Sequence, residues 1–368
     1  MKKPFLILAS LACLLTLLVS CQGARLHRAA ADRAAVESSA ATPTTIAAAN
    51  TTRIAATSET APPYDGFRLG LPIACKMGDP CFVLLYPDRD PGPAEVDVGC
   101  GRLTYDGHDG TDFAIPDMNT RINVVAAAPG RVLRTRDGVV DRMVMGDTDK
   151  AALEGTECGN GMVIQHADGW ETQYCHLRQG SVLVKPGDQV QAGTPLGQVG
   201  MSGMASFPHV HLSVRHRAKA VDPFVGPDAG AGCQVDRQPL WQPALPYQPT
   251  GLVRAGFSTR PPEIPEIWEG EFSDTQLAAN VPALIFWVQS YGVEAGDMEE
   301  MRLWDPSGKA VINEQKTRDR SNRVYLGFVG KRVRPEAPLQ PGTWRGEYRL
   351  TRQGKVLIEA NRTLTVTR

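Results

Sequence analysis

The chain lacks an excess of charge of either sign. Its 368 residues carry 39 lysines and arginines against 40 aspartates and glutamates. That balance argues against a nucleic-acid partner and leaves the charge of any substrate open. No Cys-x-x-Cys pair occurs, which argues against a zinc ribbon. No His-Glu-x-x-His occurs, so the glutamate base of the zincin peptidases is missing. The acidic run Asp88-Arg89-Asp90-Pro91-Gly92-Pro93 lacks the spacing of an EF-hand and reads as a solvated turn. There is no internal repeat. Histidine is scarce, with seven residues, and none falls in 261–368.

What is present points to strands. Hydrophobic residues make up 42%, with 36 glycines and 28 prolines, a composition of short strands and turns rather than long helices. The length allows two or three domains. Eight cysteines split into Cys13 and Cys21 near the N-terminus and an even set of six, Cys75, Cys81, Cys100, Cys158, Cys175 and Cys233. An even set suits an oxidising compartment, and six cysteines allow about 15 pairings. Cys158 and Cys175 flank one predicted hairpin and are the first expected bridge; Cys75 with Cys81 is the second.

In chain order, Met1-Lys2-Lys3 precedes an apolar run from Phe5 to Leu18. The run is too short for a comfortable membrane span and suits a signal-peptide core. It ends in Leu18-Val19-Ser20-Cys21, which resembles the lipobox of bacterial lipoproteins. The resemblance implies cleavage after residue 20, lipidation of Cys21 and attachment to a membrane. Gln22 rather than Asp follows, which in a Gram-negative cell implies the outer membrane, facing the periplasm. Residues 21–63 are rich in Ala, Thr and Ser and are expected to be a disordered tether, with a coil reach of roughly 35 Å.

Residues 64–232 form a first predicted domain. Its strands are expected at 112–115, 122–127, 130–135, 161–165, 171–177, 182–184, 195–200 and 210–216, broken by turns such as Pro129-Gly130 and Pro186-Gly187-Asp188. The spacing argues for antiparallel sheets in an all-β fold. Asp137–Gly159 has no periodicity and reads as a long loop that could wall a groove. Residues 233–260 read as a Pro- and Gln-rich linker. From 261 to 368 a second set of strands, including 284–288, 301–305, 323–328, 342–350 and 362–366, suggests a small β-sandwich, immunoglobulin-like in architecture.

The chemistry gathers on Pro208-His209-Val210-His211-Leu212-Ser213-Val214. Val210, Leu212 and Val214 alternate with His209, His211 and Ser213, so the two imidazoles share one strand face. A cation is the usual reason for such a pair. Gly107-His108-Asp109-Gly110-Thr111-Asp112-Phe113 adds an imidazole and a carboxylate four residues apart, and Tyr174-Cys175-His176-Leu177 adds another imidazole. Six of the seven histidines lie between His108 and His216. Either histidine of the His-x-His pair could bind a metal on spacing alone.

H-x-x-x-D, then Y-x-H-L, then P-H-x-H, in this order, resembles the lysostaphin-like (LytM-type) zinc peptidases that cut peptidoglycan cross-bridges. The framework Gly159-Asn160-Gly161, His166-Ala167-Asp168-Gly169 and Gly187-Asp188 through Gly200 matches too, from about Gly101 to Phe224. The resemblance implies one zinc per chain on His108, Asp112 and His211, with a fourth position for water. It implies that His176 and His209 are catalytic, one taking the water's proton and the other stabilising the oxyanion. Of the remaining groups, His166 reads as exposed or turn-stabilising, His216 as surface, and Tyr174 as pocket wall or core. Two departures from the family pattern stand out: the long 137–159 segment, and Phe207 where glycine is more familiar.

The expected function is a zinc-dependent endopeptidase acting on peptidoglycan stem peptides or cross-links. The alternatives are a non-catalytic wall-binding or amidase-regulating scaffold of the same fold, and a peptidase acting on protein.

Overall fold

Among the described residues, alternating apolar positions and glycine-rich turns give a fold built mostly of antiparallel sheets. The computed structural model describes residues 66–146, 151 and 153–368. The apolar N-terminal run, Cys21, the tether and part of the 137–159 segment lie outside the described residues.

The first module contains β1 (Phe82–Leu85), β2 (Gly110–Ala114), β3 (Asn123–Val125), β4 (Gly130–Arg136), β5 (Asn160–Gln165), β6 (Trp170–Leu177), β7 (Gln189–Val190), β8 (Pro195–Gln198), β9 (His209–His216) and β10 (Lys219–Ala220). Its main sheet runs β1-β2-β9-β6-β5-β4-β7, with β10 added to β9 and a separate β3-β8 pair. β9 lies between β2 and β6, buried on both faces. Val210, Leu212 and Val214 enter the core with Phe113, Ile115 and Tyr174, which turns His209 and His211 to the opposite face.

The second module contains β11 (Gly251–Ser258), α1 (Ile264–Glu269), β12 (Gln276–Ala278), β13 (Ala283–Val293), β14 (Met298–Trp304), β15 (Ala310–Thr317), β16 (Asn322–Arg332), β17 (Gly342–Arg352) and β18 (Lys355–Thr367). A three-stranded sheet, β11-β13-β16, and a five-stranded one, β12-β18-β17-β14-β15, enclose one core holding Phe257, Phe286, Met301, Trp344 and Leu364. The β12–β18 pair is parallel.

Several sequence expectations need correction. Val182–Val184 is not a strand. Leu183 is exposed, Val182 N–H donates to the Asp137 carboxylate, and Pro186 removes a donor just beyond. The 233–260 linker is shorter than expected, because 251–258 is β11, paired along its length with β13. Val253, Ala255 and Phe257 point inward, a pattern that Gly251 and Gly256 obscure. The rest is strapped down: Gln242 N–H donates to Leu69 O, Leu69 N–H to Leu240 O, and Cys233 is bridged to Cys100. Bridges Cys75–Cys81 and Cys158–Cys175 complete the set of six. The 88–93 acids cap turns: Asp88 Oδ1 accepts from Asp90 and Val96, and Asp90 Oδ2 from Gly92 and Ala94.

The core of the first module does not stop at its own strands. Val253, Trp268 and Tyr291 of the second module belong to it, and Tyr291 stacks on Phe82 with centroids 5.2 Å apart.

Candidate metal centre and active site

Strand pairing builds the centre. β2 and β9 are antiparallel with Asp112 opposite His211 and Ala114 opposite His209, while β6 sets Cys175 opposite His211 on the other side. His108 reaches in from the turn before β2. Asp112 Oδ1 lies 3.2 Å from His108 Nε2 and 2.8 Å from His211 Nδ1, and those two nitrogens are 3.2 Å apart.

The ring nitrogens facing away define the tautomers. His108 Nδ1–H donates to Tyr86 O at 2.8 Å. A carbonyl can only accept, so His108 Nε2 carries a lone pair toward the centre. His211 Nε2 lies 3.2 Å from Asp109 Oδ1 and 3.0 Å from Ser213 Oγ; with its proton given to Asp109, Nδ1 is also a lone-pair donor. With both rings neutral, two imidazole lone pairs and a carboxylate oxygen face one another, an arrangement that calls for a positive charge among them, either a proton on His211 Nδ1 or a metal ion in its place. Ligands at zinc-like bond lengths on a tetrahedral ion would be about 3.3 Å apart, close to the observed separations. The donor set fits a metal ion. Burial pushes Asp112 up, but the His108 and His209 imidazoles outweigh it and hold the carboxyl well below the usual range. Burial opposes protonation of His211, yet Asp109 and Asp112 raise it to about 9, so without a metal the ring holds a second proton on Nδ1 against Asp112, which a cation at the centre would displace.

His176 and His209 flank the triad. His209 Nδ1–H donates to Phe207 O at 2.8 Å, and His176 Nδ1–H to Ser202 O at 2.7 Å. Both rings thus present an unprotonated Nε2. His209 Nε2 is 3.6 Å from Asp112 Oδ1, and the two rings are 4.6 Å apart at their centroids. Burial holds both below their ordinary values, reinforced for His176 by the charges of His209 and His211 and opposed for His209 by Asp112. His176, His209 and His211 form a second cluster of ligand-type atoms sharing His211 with the first.

His176 sits at φ 64°, a left-handed conformation that costs a non-glycine residue energy. It is held there by its N–H to Cys158 O at 2.9 Å and by the Cys158–Cys175 bridge next to it. Asn160 supports the same corner: its side-chain amide donates to Val139 O and Leu177 O, and its Oδ1 accepts from Val139 N.

All five site residues expected from the sequence converge. A cavity of about 250 Å³ opens beside them, lined by Tyr105, Glu157, Met204 and Arg215 as well as His176 and His211. Glu157 and Cys158 place the described end of the 137–159 segment on its wall. One open reading is decided and two others change. Tyr174 is core, with its OH accepting from Ala127 N. His166 is buried, its ring bridging Pro129 O and Thr172 Oγ1. His216 is half-buried and stacks on Trp170. Sequence reasoning missed Asp109 and Ser213, which hold His211 from behind; an acid directly beside His108 was the available signal. It also missed the Tyr86 carbonyl, for which no sequence signal exists.

Comparison with known proteins finds similarity over the segment that carries these residues. Residues 106–223 match the model described as Peptidase family M23. The chain is 42% identical over 71 residues to the cell division protein DipM of Caulobacter vibrioides, covering 18% of this chain and 11% of that one. It is 35% identical over 115 residues to the peptidoglycan DD-endopeptidase ShyA of Vibrio cholerae, covering 31% and 22%. A solved structure, the catalytic domain of the prophage-encoded M23 protein EnpA from Enterococcus faecalis, is 26% identical, with 40% of this chain and 92% of that chain covered and a TM-score of 0.29. The match thus spans less than a quarter of the length of these two curated relatives.

Proposed function

We propose that the peptidase family M23 domain at residues 106–223 makes this chain a zinc-dependent endopeptidase that hydrolyses peptide bonds in peptidoglycan cross-links. The observation that carries the reading is the convergence of His108 Nε2, Asp112 Oδ1 and His211 Nδ1 within 2.8–3.2 Å, flanked by two neutral imidazoles. Two nitrogens and one carboxylate oxygen, with a position left open, are a catalytic zinc set. Zinc bound there would supply Lewis-acid polarisation of the scissile carbonyl and a water acidic enough to attack it.

The chain's own groups do the proton work. His176 and His209 each offer a bare Nε2, so either can accept the proton of the attacking water. Neither can donate until it has done so, because its Nδ1–H is committed to Ser202 O or Phe207 O. The ring that takes the proton then has the N–H to pass to the departing amine as the C–N bond breaks. Their depressed basicity keeps both in the accepting form at neutral pH. Asp109 and Ser213 hold His211 in register. The scaffold alternative has no use for two overlapping donor clusters that share His211.

Cross-link cleavage as the substrate class draws on the activity that the Vibrio cholerae relative's name states for that protein. Export draws on the lipobox-like segment ending at Cys21 and on the three bridges, which suit an oxidising compartment. Palmitate labelling that depends on Cys21 tests the anchor. For the enzyme, zinc is measured by elemental analysis of the purified chain beside fragment release from sacculi. About one zinc per chain and newly freed peptide termini are expected. A folded protein that takes up no zinc and releases nothing overturns the reading; cleavage of protein but not of sacculi reassigns the substrate.

A further inference from the structure

Phe207, the residue that departs from the family pattern, touches His209 twice. Its ring stacks on the imidazole with centroids 4.2 Å apart and planes 24° from parallel, and its carbonyl accepts the Nδ1–H at 2.8 Å. One residue therefore sets both the plane of the His209 ring and its tautomer. Behind Phe207 stands Trp268 of the second module, 5.9 Å away between ring centroids. Trp268 is 2% exposed and is counted into the core of the first module rather than of its own.

The segment bearing Trp268 is built to hold a position. α1 has a capping box between Glu263 and Glu266, a proline in its first turn, and Gly270 at its end in the left-handed region at φ 100°. A side chain at Gly270 would run into Asn119. Three polar contacts clamp α1 and β11 to 117–119 of the first module. Met118 N–H donates to Trp268 O at 2.9 Å, Asn119 Nδ2–H donates to Gly270 O at 3.0 Å, and Arg254 pairs with Asp117 at 3.0 Å. Met118 O in turn accepts from Arg178 Nη2 at 2.8 Å, two residues beyond His176. The second module thus abuts the ring stacked on His209 and, through Met118, reaches the chain two residues beyond His176.

We propose that Trp268 is a positioning residue of the peptidase, acting through Phe207 on His209, so that the second module completes the active site. The proposal rests on the reading of His209 as a proton-transfer group. Losing the indole leaves Phe207 free to tip into the vacated space, and the imidazole stacked on it turns away from the attacking water. The metal triad, held by β2 and β9, is untouched.

The test uses the full chain and a soluble cross-linked peptidoglycan fragment. Trp268→Ala is expected to lower kcat roughly ten- to hundredfold, the scale of a misplaced catalytic group, with KM within about twofold and zinc content unchanged. The NMR resonances of the His209 ring protons should move downfield as Phe207 leaves its stacked place. Trp268→Phe should restore most of kcat. A folded, metal-loaded Trp268→Ala with wild-type kcat overturns the proposal, as does a loss of kcat with the His209 resonances unmoved. If Trp268→Ala does not fold, Phe207→Leu decides: lowered kcat with KM and zinc retained supports the coupling, and wild-type kcat overturns it. His209→Ala separates the two levels. Full activity in that variant defeats the reading of His209 itself. An inactive His209→Ala beside fully active Trp268→Ala and Phe207→Leu defeats only the coupling.

Discussion

The sharpest test of the metal centre leaves all its ligands in place. Gly110 lies on β2 between His108 and Asp112, opposite Ser213 of β9. A methyl group on its Cα would stand 2.5 Å from His211 Cε1 and 2.8 Å from Leu212 O, with His211 Nε2 as close. Ordinary contact begins near 3.4 Å, so something must retreat by about 1 Å. The Leu212 carbonyl cannot, because β9 is paired on both sides, to β2 and to β6. The His211 ring can, since it is held from behind only by Asp109 and Ser213. Metal–ligand distances tolerate about 0.2 Å, so a shift of this size breaks the His211 bond. Gly110→Ala should therefore weaken zinc binding by on the order of 100-fold, measured by competition against a chromogenic chelator. Activity at limiting zinc should fall in parallel, and the metal-free protein should remain folded by circular dichroism. Zinc affinity within about threefold of wild type in the folded variant would refute the assignment of His211 Nδ1 as a ligand.

Other outcomes separate the roles within the cluster. His211→Ala should lose zinc and activity together, whereas His209→Ala should keep most of its zinc and lose activity; elemental analysis giving the reverse would exchange the two roles. Replacing Cys158 and Cys175 by serine opens a short loop and should cost about 3 kcal/mol in urea unfolding. It should also lower kcat, because the φ 64° backbone of His176 loses its neighbouring tie; unchanged kcat would show the bridge to be irrelevant to the site. Burial holds His166 below its ordinary value of 6.5. The unfolded chain then takes up a proton that the folded one refuses, so this contribution is full above about pH 6.5 and is lost as the pH falls below it. His166→Gln should flatten the fall in Tm between about pH 7 and pH 5; a slope as steep as wild type's would mean that His166 titrates freely. His176 and His209, depressed in the same direction, leave part of the wild-type slope in place.

The metal end of the site was legible because its information is local and chemical. His108 and Asp112 are four residues apart, His209 and His211 two, and scarce residue types gathered in short motifs survive without knowledge of the fold. What the motifs omit is how the strands meet. That Asp112 faces His211 follows from β2 pairing with β9 in one register, and the spacing within His-x-His left the ligand open until that register was known. The misread elements failed for physical reasons. Val182–Val184 has the composition of a strand but makes only scattered bonds, Val182 N–H to the Asp137 side chain and Leu183 N–H to Leu196 O, rather than a ladder. β11 carries two glycines and follows a proline-rich stretch, so its inward Val253, Ala255 and Phe257 do not stand out.

Trp268 was beyond reach for a stronger reason. It lies 61 residues after Phe207 in a module with no histidine and no catalytic motif, and its own surroundings read as the start of a packing domain. Only the folded chain places it against the ring that carries His209. The two ends of the site therefore depend on different parts of the molecule. His108, Asp112 and His211 are fixed by β1, β2 and β9, through Tyr86 O and Asp109. His209, one of the two imidazoles proposed to handle protons, rests on Phe207, and Phe207 rests on α1. Metal affinity and turnover should then respond independently to damage in the second module: changes near α1 alter kcat at full zinc occupancy, and changes near Gly110 alter occupancy itself. A set of α1 variants in which zinc affinity and kcat fell in proportion would show a single rigid site and remove this division.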